Sequence, residues 1–333
     1  MTRNAVRSAA LGTLLLVAYL AVDLPGGGAQ EAVKPKSAGI PVILDTDIGT
    51  DIDDTWALAL LLSLPDLDLK LVVTDYGDTV TRARLVAKLL QVSGRTDVPV
   101  GIGLRGKPVP VPQKDWVGDY DLARYPGVVY QDGVSALIDL IMKSPEKVTL
   151  IVLGPAPNIR EALKRQPAIA GRARVFAMSG SVDRGYDGNP KPSAEYNVKE
   201  DPPATRAMYE AGWQVTIAPL DTAGTIQLEG SLYQQILACR KPVIRALVEN
   251  YRVWAKNINW TRADPDRQSS TLFDPLAVAL VGWPGYCVVE PVPLEVTDDG
   301  FTRRKPGARQ IHAALQWKDR RGFENWLVTK LTR

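Results

Sequence analysis

The sequence predicts an α/β fold: a mostly parallel central sheet flanked by helices, an open sheet of the Rossmann-like kind. Three observations predict it. Short apolar, β-branched runs recur along the chain, helical stretches separate them, and no linker, repeat or low-complexity tract divides the chain after residue 40. Strands that alternate with helices argue for a parallel sheet covered on both faces.

The elements follow in order. The strand "IPVILD" leads to a helix over 53–63, and "LKLVVT" to a helix over 79–93. "PVGIG" is a third strand, followed by an irregular stretch, 104–130, rich in Pro, Gly, Trp and Tyr, and then a helix over 132–143. "VTLIVL" precedes a helix over 157–165; "RVFAMSG" precedes a second irregular stretch, 179–200, and a helix over 202–211. Loops this long in a compact domain are more often functional than filler. After "WQVTIAPL" the run "SLYQQILACRKPVIRALVENYRVWAKN" reads as helix, a cap or lobe of the same domain, and "RQIHAALQW" as a late strand.

The 333 residues are 45% hydrophobic and 23% charged, which suits a folded protein rather than a disordered one. The net charge of +3 and the single small cluster Arg303, Arg304 and Lys305 give no footprint for nucleic acid. At the N-terminus, Arg3 and Arg7 precede an apolar run from about Ala9 to Val22, then Pro25 and small residues to Ala29. That layout reads as a secretory signal peptide over 1–29, a flexible lead-in over 30–39 and one domain over 40–333, exported to the periplasm or the outside. The run is shorter than the roughly 20 residues a spanning helix needs, so no stable membrane partner is expected. Cys239 and Cys287 make no disulfide framework, and with His312 the only histidine there is no Cys/His zinc cluster.

One stretch carries chemistry. "DTDIGTDIDD" places Asp45, Asp47, Asp51, Asp53 and Asp54 within ten residues, directly after a strand. Ligands in open α/β sheets sit beyond the carboxyl ends of strands. Packed carboxylates repel one another, and a bound cation removes the difficulty. Oxygen ligands without Cys or His select a hard ion, Ca²⁺ or Mg²⁺. An EF-hand is excluded, because counting from Asp45 puts Gly49 at position 5, Thr50 at 6 and Trp56 at 12. A phosphatase of the Asp-x-Asp type, with Asp45 as nucleophile, fits the start of the loop but lacks an obvious later acidic pair beyond "TDDG" at 297–300.

"DTDIGTDIDDTWALALLL" resembles the signature of the inosine-uridine-preferring nucleoside hydrolase family, with two extra residues before the final Asp pair. "VLGPAPNIREAL", "GNPKPSAEYNVKEDPPA" and "LFDPLAVAL" resemble that family's later segments, in the same order. The resemblance implies a Ca²⁺-dependent hydrolase that splits an N-ribosyl compound into base and ribose, with a homo-oligomer compatible with the sequence. By the same resemblance the ion is held by Asp47, Asp54, the Leu153 carbonyl and Asp274, and Asp47 is the base that activates a water on the ion. Asp53, Asp78, Met178, Asn189, Glu195 and Asn197 become sugar contacts, while Asp45 orients its neighbours and Asp51 has no assigned role.

Two departures stand out. Asp78 replaces an asparagine after the second strand, and Phe273 stands before Asp274 where many members carry the histidine that protonates the leaving base. Trp116, Tyr120, Trp260 and Phe273 are candidates for the leaving-group pocket, with Tyr125, Tyr251 and Trp254 as further aromatics. His312, on a late strand, is a poor substitute for the missing histidine. The alternative to an enzyme is a non-catalytic or slow relative that binds Ca²⁺ and a ribosyl ligand.

Overall fold

The strand Ile40–Thr46 (β1) carries five consecutive buried residues, Val42 through Leu44 and then Asp45 and Thr46, as a strand covered on both faces must. Of the chain, this computed structural model describes residues 39–333; the proposed signal peptide and all of the lead-in but its last residue lie outside the described residues. Nine further strands follow: β2 Leu67–Thr74, β3 Val100–Ile102, β4 Val129–Tyr130, β5 Val148–Val152, β6 Ala173–Met178, β7 Val215–Ala218, β8 Cys287–Val296, β9 Thr302–Arg304 and β10 Gln310–Trp317. They form one sheet in the order β4-β3-β2-β1-β5-β6-β7-β10-β8-β9. Pairing is parallel from β4 to β10 and antiparallel only across β10, β8 and β9.

From β1 the chain builds outward through β2, β3 and β4, then returns to lay β5 on the other side of β1. The strand order therefore reverses between β1 and β5. Loops leaving their carboxyl ends bound a crevice, where such folds bind ligands. The sheet's alternation fills both layers. Val42 and Leu44 pack with Trp56 and with the helices Pro242–Asn257 and Arg320–Thr332, while Ile43 and Val73 pack with the helices Gly133–Lys143, Pro157–Arg165 and Pro202–Glu210.

The five helices read from sequence fall within a residue of those expected: Asp53–Leu62, Thr79–Val92, Gly133–Lys143, Pro157–Arg165 and Pro202–Glu210. The first is buried from Asp53 to Leu61, which explains why its sequence is apolar all round rather than striped. The irregular stretches hold short pieces: a one-turn helix Lys114–Val117, a 3₁₀ turn Leu122–Arg124 and the edge strand β4 in the first, a 3₁₀ turn Tyr186–Gly188 and the helix Tyr196–Glu200 in the second. In the C-terminal third, the helices Gly230–Ala238 and Pro242–Asn257 join the core through Tyr233, Ile236 and Leu247. The antiparallel hairpin β8–β9 was not legible, since Glu290, Pro291 and Pro293 mask the strand signal. Both cysteines are free. Among the described residues no helix is long and apolar enough to cross a membrane.

Candidate active site

Strand β1 delivers the acidic loop to the crevice, and the loop ends by starting the helix Asp53–Leu62 with two carboxylates in its first turn. Free N–H groups and the positive end of the helix dipole favour anions there. From β5 comes Leu153, whose N–H donates to the Asp45 carbonyl at 2.9 Å, and from the N-cap of the helix Pro275–Leu280 comes Asp274. Asp53, Asp54 and Asp274 each present an oxygen within 4.8 Å of the others, and all three are buried. Asp47, 4% exposed, lines the same cavity outside that trio. Thr46 Oγ1 donates to Asp54 Oδ1 at 2.5 Å and fixes that carboxylate's rotamer.

Burial first, and then mutual repulsion, pushes Asp53, Asp54 and Asp274 well above the ordinary carboxylate range. Burial likewise raises Asp47, against the pull of the Arg82 guanidinium, and lifts Asp45 and Asp51 to about 7. Asp75, fully buried behind the loop, is also raised well above its usual value by burial and by Asp45. Among the described buried residues Arg82 is the one Lys or Arg. So many buried carboxylates against one cation leave a deficit of positive charge, and an all-oxygen donor set fits a hard divalent ion.

The cavity measures about 760 Å³, a size that suits a nucleoside. Facing the acidic loop are Met178, Glu195 and Asn197. Glu195 caps the helix Tyr196–Glu200 and accepts from the N–H groups of Gly180 (3.0 Å), Asn197 (2.8 Å) and Val198 (3.3 Å). Burial outweighs these bonds and lifts its carboxyl to about 7. Asn197 Nδ2 donates to the carbonyls of Leu153 (2.7 Å) and Met178 (3.1 Å), locking the ends of β5 and β6 together. The Leu153 oxygen keeps a second lone pair. Trp260, 51% exposed, and Phe273 stand on the cavity wall with Trp254, whose indole N–H donates to the Thr50 carbonyl at 2.9 Å.

Four sequence-derived candidates lie outside the cavity. Asp78 is exposed and caps the helix Thr79–Val92, accepting from the N–H and Oγ1 of Thr81. Asn189 is exposed and closes its own turn on the Lys191 N–H at 2.9 Å. Trp116 packs under the Lys88 ammonium, 4.5 Å from the ring centre, and Tyr120 donates to Gln91 at 2.6 Å. From the stretch 104–130 only Val109 and Pro110 reach the cavity wall. Tyr125 and Tyr251 are buried, with their hydroxyls on the carbonyls of Val98 (2.5 Å) and Gln268 (3.2 Å). His312 sits within β10, between β7 and β8. The phosphatase reading fails, because Asp45 has no exposed surface and accepts from Asn158 Nδ2 at 2.7 Å behind the cavity, where no phosphoester could reach it.

Residues that sequence reasoning passed over complete the site. Arg82 donates to the carbonyls of Tyr76, Asp47 and Ile48 and to Thr50 Oγ1, and so holds the acidic loop from below. Its signal was present: a cation at 82 on the buried face of a helix that continues through Val86 and Leu89. Asn158 bridges Asp45, the Thr74 carbonyl and the Leu104 N–H. Tyr186 reaches the cavity from the second irregular stretch.

The family model described as "Inosine-uridine preferring nucleoside hydrolase" matches residues 42–322. The chain belongs to the inosine-uridine preferring nucleoside hydrolase family. A non-specific ribonucleoside hydrolase of Salmonella typhimurium is 30% identical over 229 residues, 65% of this chain and 73% of that protein. A pyrimidine-specific ribonucleoside hydrolase of Enterobacter sp. is 31% identical over 225 residues, 63% of this chain and 69% of its own length. Among solved structures, a plant nucleoside hydrolase superposes with a TM-score of 0.75 at 21% identity, covering 88% of this chain and 99% of that one. An inosine-uridine preferring nucleoside hydrolase from Bacillus anthracis gives 0.69 at 20% identity, with 88% and 99% covered. This nucleoside hydrolase is therefore an N-glycosyl hydrolase, acting on the N-glycosidic bond of small-molecule ribonucleosides.

Proposed function

We propose that the chain hydrolyses a ribonucleoside, or a related N-ribosyl compound, to base and ribose with Ca²⁺ as the resident ion. The buried trio Asp53, Asp54 and Asp274 supports this most directly, because among the described residues Arg82 is the single buried Lys or Arg set against it and the neighbouring carboxylates. Asp54 and Asp274 would hold the ion with Asp47 and the Leu153 carbonyl, a set of hard oxygens that leaves positions open for water and a sugar diol. When bound, such an ion lowers the pKa of a coordinated water and anchors vicinal hydroxyls.

The chain's own residues do the rest. Asp47, on the loop clamped by Arg82, takes the proton from the attacking water. Asp53 accepts a hydrogen bond from a sugar hydroxyl. Glu195 and Asn197, fixed by backbone bonds at the opposite wall, and Met178 hold the ribose ring, and the Glu195 carboxylate favours positive charge developing at C1′. Trp260 and Phe273 offer apolar surface to the base. Titration calorimetry with Ca²⁺ and turnover of a nucleoside panel test these roles together. Asp274→Ala should abolish ion binding, and Asp47→Asn should lower kcat about 10²- to 10⁴-fold. Unchanged turnover in Asp47→Asn would reject it as the base, and an Asp53→Asn variant that loses the ion while Asp47→Asn keeps it would move Asp53 into the ligand set.

Export is part of the same proposal and rests on the Arg3 and Arg7 to Ala29 layout. Mass spectrometry of the mature N-terminus should find cleavage near Ala29; an intact Met1 in the secreted or periplasmic fraction would refute it.

A further inference from the structure

Breaking an N-ribosyl bond leaves an electron pair on the base nitrogen, and a base departs faster when that pair is met by a proton. Phe273, beside Asp274, has none to give. Tyr186 stands next to it: the two rings meet edge to face, with centroids 6.0 Å apart and planes at 83°. The phenol lines the cavity, and its oxygen accepts from the Tyr196 backbone N–H at 2.9 Å. That bond holds the oxygen in place while leaving its own proton free, since among the described residues no protein acceptor receives it. The residue is 36% exposed and lines the cavity, through which solvent reaches it.

We infer that Tyr186 is the group that hands a proton to the departing base, a catalytic role that rests on the hydrolase reading above. The C1′–N bond breaks and its electron pair goes to the base. The Tyr186 proton moves to the base, the water oxygen bonds to C1′, and the water's proton goes to Asp47. Solvent at the cavity mouth then returns a proton to the phenolate and removes one from Asp47, so the sum is nucleoside plus water giving base plus ribose. Burial and the nearby Glu195, Asp51 and Asp53 carboxylates raise the phenol's pKa, which keeps it protonated at neutral pH. The other candidate donors are differently placed. The Trp254 N–H is committed to Thr50, the Tyr196 hydroxyl is shut off from solvent, and Asp51 stands on the acidic loop with Oδ1 bound to the Ile52 N–H at 2.6 Å.

Leaving-group dependence tests the assignment. Wild type, Tyr186→Phe and Asp51→Asn would each be assayed on inosine and uridine, and on 4-nitrophenyl β-D-ribofuranoside, whose stable phenolate needs no proton to leave. Tyr186→Phe should lose about 10²-fold or more in kcat on the nucleosides and change less than about threefold on the nitrophenyl riboside, which also shows that the variant is folded and active. Equal losses on both substrates, no loss on the nucleosides, or a selective loss in Asp51→Asn instead would overturn the role of Tyr186. A wild type that cleaves only the nitrophenyl riboside would overturn it as well, by showing that no proton donor operates. A wild type that cleaves neither would instead remove the hydrolase reading beneath it.

Discussion

Arg82 shows how a single side chain can set the geometry of a charged site. Its guanidinium spans the carbonyls of Tyr76, Asp47 and Ile48 and the hydroxyl of Thr50, all within the acidic loop or the turn after β2. Removing it strands those acceptors and takes away the one buried Lys or Arg among the described residues, beneath several buried carboxylates. Arg82→Met should therefore destabilise the protein by about 3–5 kcal/mol, as breaking a buried ionic network does. Arg82→Lys should recover part of this, since it restores the charge but not the fork of donors. Urea unfolding of the two variants would show it, and a Met variant as stable as wild type would contradict the clamp. At this scale the sequence was informative where a residue type was unusual in number, as with the aspartates. It was silent where an ordinary residue acts through its place in the fold: Asn189 has the right type and Asp78 the right place in the order, yet each satisfies a local turn or cap instead of facing the cavity.

Among the elements, the turn after β5 is the most constrained. Gly154 follows Leu153, and a Cβ there would lie 2.3 Å from Asp75 Oδ1, on a carboxylate whose other oxygen is bound to the Ala156 N–H at 3.1 Å. Ala156 itself is left-handed, with φ 65°, immediately before Pro157 starts the next helix. Asp75 is fully buried and tied through its other oxygen, so it yields to such a Cβ only at a cost. Gly154→Ala should cost about 1–3 kcal/mol through overpacking and weaken ion binding by displacing the Leu153 carbonyl. Gly171→Ala, whose Cβ meets nothing within 4 Å, should do neither. Thermal midpoints and calorimetric ion titrations of the pair check both effects. The strands and helices bounding this turn were legible because their apolar patterning is strong. The contact between Gly154 and Asp75 was not, because it joins residues far apart in sequence that meet only once β2 and β5 flank β1.

Across the whole molecule, the acidic centre makes stability depend on pH. Asp45 and Asp51 hold their protons to about 7 when folded against a normal 3.8, and Glu195 to about 7 against 4.5. The folded chain thus binds more protons than the unfolded one between roughly pH 4 and 7. These raised carboxyls favour the fold at low pH, and the advantage is lost as pH rises through the folded values. In chelator, the thermal midpoint should fall between pH 5.5 and 8; with Ca²⁺ present the decline should shrink, because the ion offsets the carboxylates' charge and binds only the folded state. Scanning fluorimetry at both pH values would decide it, and a chelated protein that gains stability over that range would contradict the sign. The parallel sheet, and the acidic loop at a strand's carboxyl end, could be read from the order of strands and helices; the switch point between β1 and β5 needed the strand order itself. How the second irregular stretch brings Tyr186 up to Phe273 could not, since loop paths are set by tertiary contacts rather than by periodicity.

If buried aspartates hold an ion that, with Asp47, hydrolyses an N-ribosyl bond, turnover must depend on that ion. The most direct test is to follow base and free ribose from a nucleoside panel by chromatography, first in chelator and then with Ca²⁺ restored. Equal amounts of base and ribose are expected from at least one nucleoside with Ca²⁺, and loss of both in chelator. Turnover that persists undiminished in chelator would contradict that dependence.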